Sequence, residues 1–285
     1  MKVLIANIED VMREAAARWT LVSYFFLSTL FIIIFAFAVN LDIVEGSLAG
    51  AKLFGKSVEM NGPSQISIEK LVLGFESGFS GFLYFLCTFL AIFATAHLVP
   101  RMQEKGTIDL YLSRPVSRFK LLMSRYFAGL LLAASNIFYL ILSMWVIVMW
   151  KTHVVHPKFL IAAVIILFVV ATLLAFAFLV GVVTSSTAVS IMSSYAIFFF
   201  GLMLAGHDRF AAVVSKQWQA WLIQTLYWIM PKTAELFAAV VTFVSDGRMP
   251  AAMANALTPA PFLATGAFLV GCLSLASWLF YRKEF

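Results

Sequence analysis

Charge is what this sequence has least of. Only 12% of its 285 residues are Asp, Glu, Lys or Arg, against 62% hydrophobic, where soluble domains carry about a quarter charged residues. So little charge excludes an ordinary water-soluble globule and leaves lipid to solvate much of the surface. Cysteine is nearly absent. Cys87 and Cys272 both fall inside apolar runs, which excludes a disulfide framework and a cysteine metal site and leaves two small hydrophobes. Strict polar–apolar alternation is missing from the long hydrophobic runs, which excludes a transmembrane barrel. No small-residue cleavage site follows the first run, and Glu9, Asp10 and Glu14 precede it, so the N-terminus is expected to be retained. The net charge of +6 is scattered through short segments between apolar runs rather than gathered in a basic domain. That distribution excludes a nucleic-acid partner and fits the positive-inside rule.

What is present is a series of apolar runs of about twenty residues, each long enough to cross the roughly 30 Å hydrocarbon core as a helix. They predict an all-α integral membrane protein, one permease-sized domain over residues 1–285, with six spans at 20–39, 74–99, 121–150, 159–183, 187–206 and 261–281. Ahead of the first span, residues 1–19 alternate Val3, Leu4, Ile8, Val11 and Met12 with Glu9, Asp10 and Arg13 at helical spacing, the pattern of an amphipathic helix lying on the membrane surface. Residues 40–73 hold Gly46, Gly50, Gly55, Gly62 and Pro63 and are expected to form a small ordered loop. Residues 207–260 include an apolar stretch interrupted by Pro231, Lys232 and Glu235, which predicts two short interfacial or re-entrant helices rather than a crossing.

Charge sets the orientation. Residues 100–120 and the residues just after them carry Arg101, Lys105, Arg114, Arg118, Lys120 and Arg125 against Glu104 and Asp109, so this segment is expected on the cytoplasmic side. Residues 40–73, the His153–His156 turn and residues 207–260 then lie outside. Both termini lie inside a multi-pass protein of the inner (cytoplasmic) membrane.

Several polar features were weighed against plainer roles. Gly50-Ala51-Lys52-Leu53-Phe54-Gly55-Lys56-Ser57 matches the phosphate-loop pattern. That chemistry, however, needs a buried strand before the loop and a helix N-terminus after it, and here an apolar span precedes it. His153 and His156, without a carboxylate or thiolate beside them in sequence, make a poor metal pair and are expected as interfacial polar residues. Glu76 is either a substrate or proton site or, more plainly, a snorkelling interfacial carboxylate. Ser135 and Asn136, with Thr184, Ser185, Ser186, Thr187, Ser190, Ser193 and Ser194, either line a polar path or hydrogen-bond between helices. Gly74, Gly78 and Gly81 allow a close helix approach. No metal or cofactor site is expected, and no catalytic constellation is present.

The segment from Arg101 to Arg118 is the informative one. Gly106 and Thr107 can start a short helix, Asp109 complements its N-terminal dipole, Ile108, Tyr111 and Leu112 form an apolar edge, and Ser113-Arg114-Pro115 ends it. This run resembles the hallmark of the type-2 ABC transporter permease family, approximately Glu-x-Gly-Thr-x-x-x-Leu-x-x-x-Pro-x-x-Arg, supplied by Glu104, Gly106, Thr107, Leu112 or its neighbours, Pro115 and Arg118. Lys105 and Ser124-Arg125 stand where the family often has Arg-Glu before the glycine and Gly-Lys at the start of the third span.

The resemblance implies a permease subunit without its own nucleotide chemistry. ATP and Mg²⁺ are expected in a partner ABC ATPase that grips a coupling helix at Glu104, Gly106, Thr107, Asp109, Tyr111, Arg114, Pro115 and Arg118, with Glu9, Asp10 and Arg13 as a second contact. It further implies a homodimer or a pair with a similar permease, contact with membrane lipid, an extracytoplasmic partner in some relatives, and export or mechanical work as the output. A passive scaffold or channel, or a lipid-modifying membrane enzyme, is the alternative. The first leaves the Gly106–Arg118 motif without a role, and the second needs clustered histidines or carboxylates that the order of His97, His153, His156 and His207 does not provide.

Overall fold

A lipid bilayer offers the backbone no hydrogen-bond partner, so apolar runs must satisfy their own amides as helices. In a computed structural model, which describes residues 20–44, 47–53, 56–58, 68–103, 117–207, 217–245 and 258–283, they do so. The helices are α1 (Thr20–Ala38), α2 (Ile68–Thr95), α3 (Leu98–Met102), α4 (Arg118–Thr152), α5 (Ile161–Thr184), α6 (Thr187–Met203), α7 (Gln217–Ile229), α8 (Thr233–Val244) and α9 (Pro259–Arg282). Among the described residues, five stretches are long and apolar enough to cross a membrane: Val72–Met102, Arg118–Thr152, Pro157–Thr184, Thr187–Gly206 and Pro259–Arg282. α1 holds a shorter apolar stretch, Val22–Phe37. The expected surface helix at 1–19, with Glu9, Asp10 and Arg13, lies outside the described residues, as do Glu104, Gly106, Thr107, Asp109, Tyr111, Arg114 and Pro115.

Each boundary has a local cause. Ser117 is extended and accepts a hydrogen bond from the Lys120 amide, capping α4, and Ser186 caps α6 in the same way. His153 and Ser185, at φ 55° and 51°, end α4 and α5 in the left-handed region, the usual way to turn a chain out of a helix. The long span from Val72 to Met102 breaks between α2 and α3 because Pro100 has no amide hydrogen to give the carbonyl of Ala96.

The core is organised around α5. Its sequence is hydrophobic on every side, which suits only a helix enclosed by others, and α2, α4, α6, α8 and α9 all pack on it. α1 lies outside this ring against α4. α2, α6 and α8 meet through aromatic rings: Phe85 lies 5.7 Å from Phe198 and 5.5 Å from Phe237, with Tyr84 5.5 Å from Phe237. Edge-to-face and tilted pairs of this kind add to simple burial.

The segment expected as a loop contains regular structure. β1 (Val39–Val44), β2 (Ser47–Leu53) and β3 (Lys56–Val58) form an antiparallel meander with a bulge between Asp42 and Ile43. The cause is visible in Val39-Asn40-Leu41-Asp42-Ile43, a period-two alternation that favours a strand. Lys52 pairs with Ser57 and Leu53 with Lys56, so among the described residues the Lys56-Ser57 end of the phosphate-loop look-alike is a strand and not the N-terminus of a helix that could hold a phosphate.

Residues 207–258 begin and end at the same end of the bundle. α8 starts well inside, where Thr233 Oγ1 donates to Phe198 O at 3.0 Å and Tyr84 Oη donates to Thr233 O at 2.6 Å. The Lys232 amide donates to Thr265 Oγ1 at 3.1 Å. α7 and α8 are thus two short helices broken at Pro231, whose junction reaches into the bundle. Gly201 makes room for it: a Cβ there would sit 2.7 Å from Pro231 O.

Candidate functional site at the base of the bundle

One end of the bundle, called here the base, gathers the last turn of α3, the start of α4, the α5–α6 turn and the C-terminus of α9. Gln103 and Ser117, the described residues that flank segment 104–116, both lie at the base, so the two ends of that segment are anchored there. Of the residues expected to contact a partner, Arg118 is the one described, and the structure places it at the re-entry point.

Both anchors work on helix C-termini. The last carbonyls of a helix have no partner within it and carry the negative end of its dipole, where cations are favoured. Arg118 supplies a guanidinium to α9: its Nη1 donates to Lys283 O at 2.6 Å, to Tyr281 O at 3.2 Å and to Phe280 O at 3.4 Å. Gln103 serves α5, donating from Nε2 to Gly181 O at 2.8 Å. Its Oε1 accepts from Lys283 Nζ at 2.6 Å and from Ser185 Oγ at 3.1 Å. Lys283 Nζ also donates to Val182 O at 2.7 Å and to Ser185 Oγ at 2.8 Å. Partial burial lowers the Lys283 ammonium below its ordinary value, the expected response of a cation taken partly out of water.

Packing fixes α3 against the same helices. Leu98, Val99, Pro100 and Met102 are buried, and two glycines form their seat. A Cβ on Gly129 of α4 would lie 2.8 Å from Leu98 Cδ1, and one on Gly181 of α5 would lie 3.2 Å from Pro100 Cδ. The short helix that feeds the 104–116 segment is therefore wedged between α4 and α5.

The opposite end is held differently. Glu76 is 2% exposed, and its Oε2 lies 2.6 Å from His156 Nδ1. This corrects the expectation of a snorkelling interfacial carboxylate, because a buried carboxylate needs a partner and His156, from the α4–α5 turn, provides one. Trp145 Nε1 donates to His156 O at 3.0 Å, and Lys151 Nζ donates to Ala36 O at 2.6 Å. His153 instead ends α4 and is exposed.

The hydroxyl-rich helices spend most of these hydroxyls on their own backbone. Thr184, Ser190, Ser193 and Ser194 each donate to a carbonyl three or four residues back in or next to their own helix. Asn136 instead joins helices, accepting from Ser28 Oγ at 2.8 Å. Of the three glycines on α2, Gly81 meets Phe237, while a Cβ on Gly74 or Gly78 would meet nothing within 4 Å. Cys87 and Cys272 are free and buried. Among the described residues, no group of three or more His, Cys, Asp or Glu side chains could hold a metal ion.

Sequence reading gave Gln103, Ser185 and Lys283 no joint role, and nothing in their spacing signals one. Comparison with known proteins agrees with the motif. A sequence profile described as "ABC-2 family transporter protein" matches residues 7–285. Among curated proteins, none matches the chain.

Proposed function

The chain belongs to the ABC-2 transporter family, and from that premise we propose that it is the permease subunit of an ABC exporter, driven by a separate ATPase that docks on the base. Helix α1 is its first span, making six with the five long apolar stretches, and the base is cytoplasmic with both termini. Glu104, Gly106, Thr107, Asp109, Tyr111, Arg114, Pro115 and Arg118 form the docking helix, with Glu9, Asp10 and Arg13 beside it. Two copies, or one copy and a similar permease, form the transport path. ATP and Mg²⁺ reside in the ATPase. The output is export of a substrate or mechanical work on an extracytoplasmic partner.

The observation that carries this reading is the double anchoring of the 104–116 segment. A force on it enters the bundle through Gln103 and Arg118, both bonded to the ends of other helices. A loop without a task would need no such attachment.

The test is co-purification. Expressed with a candidate partner ABC ATPase, the wild-type protein retains the ATPase through detergent extraction. Glu104→Ala or Gly106→Pro loses it while inserting normally. Equal retention by both variants would refute the docking assignment.

A further inference from the structure

Resting on that reading, we propose that Lys283, Gln103, Ser185 and Arg118 form a two-point clamp that makes α5 and α9 move as one unit when the docked segment moves. Lys283, Gln103 and Ser185 are positioning residues, which together with Arg118 tie the segment to the helices that must follow it.

The geometry supports the clamp in three ways. First, the two ends of the segment are cross-connected. The entry residue Gln103 is bonded to the side chain of Lys283, and the exit residue Arg118 to its backbone carbonyl. Pulling on either end therefore loads the same residue. Second, Lys283 bridges two helix ends, following α9 in sequence while donating to Val182 O and Ser185 Oγ at the α5 terminus. Third, Gln103 is used at both ends of its amide, so one side chain links Lys283 directly to the Gly181 carbonyl of α5. A contiguous hydrogen-bonded network of this kind is a physical route by which a displacement of the segment reaches both helix ends.

These features also explain how the last span is driven. Helix α9 packs closely on α5, but in lipid that apolar face rests on van der Waals packing without a hydrophobic drive. The charge-assisted bonds at the base supply the axial grip that such a face lacks.

The experiment uses the complex with its ABC ATPase in lipid nanodiscs, on a Cys87→Ala, Cys272→Ala background. Maleimide access to Ser113→Cys reports docking. Spin labels at the exposed positions Phe37 and Leu263, at the far ends of α1 and α9, report transmission. In the wild type, ADP with vanadate changes the spin-label distance distribution. In Lys283→Met, Ser113→Cys remains protected by the ATPase, while the vanadate-induced population falls by about tenfold, and Lys283→Arg restores it. Gln103→Leu reproduces the Lys283→Met loss, guarding against a folding artefact in either variant. A full distance change in both Lys283→Met and Gln103→Leu would overturn the clamp and leave the docking reading intact. Absence of protection at Ser113→Cys in the wild type would overturn the docking reading, and the clamp with it.

Discussion

The two ends of the bundle differ in how they bury charge. At the base, long donors reach several carbonyls at once: Arg118 alone contacts three, and Lys283 three acceptors. At the far end, the Glu76–His156 contact is a single buried pair. Losing one bond from a many-bonded cation leaves its charge satisfied by the rest. Losing one member of a buried pair strands the other in a low-dielectric site. The base thus keeps most of its bonds when one is lost, and the far end contains a joint that one substitution opens.

That contrast orders the expected effects, each read as a change in thermal unfolding of the purified protein. His156→Leu has the largest effect, about 3 kcal/mol, because it leaves the Glu76 carboxyl buried without a partner. Glu76→Gln, which keeps a hydrogen-bonding side chain of the same shape, costs only about 1 kcal/mol. Equal losses would mean that the charge of Glu76, and not the hydrogen bond that Gln keeps, holds the pair. Arg118→Ala at the base costs about 2 kcal/mol through three uncapped carbonyls, and Arg118→Lys recovers part of it. A base variant more damaging than His156→Leu would reverse the comparison. Gly181→Leu, which drives a side chain into Pro100, costs about 1–3 kcal/mol by overpacking. Ser28→Ala, which removes one bond to Asn136 within the bundle, falls near 0.6 kcal/mol, typical of helix-to-helix hydrogen bonds in membranes.

What could be read from the sequence follows the range of the forces involved. Apolar runs such as Ile161–Thr184 form helices from local composition alone, so they were legible in advance. So was the break at Pro231, where a helix cannot continue past an imino acid. The meander at Val39–Val58 was obscured because its glycines suggest loops, although the alternation in Val39–Ile43 is a local strand signal. The fastenings at both ends were not legible. Glu76 lies 80 residues from His156, and Gln103 lies 180 residues from Lys283; such pairs exist only once the helices have packed. The motif from Glu104 to Arg118 points to a family, whereas the anchors on either side of it become visible only in three dimensions.

The sidedness of the base carries the whole account. Ser113→Cys, in intact cells on a background without Cys87 and Cys272, should stay unmodified by a membrane-impermeant maleimide and become modified once the cells are permeabilised. Modification before permeabilisation would place the segment outside, where no ATPase could grip it, and would contradict the account.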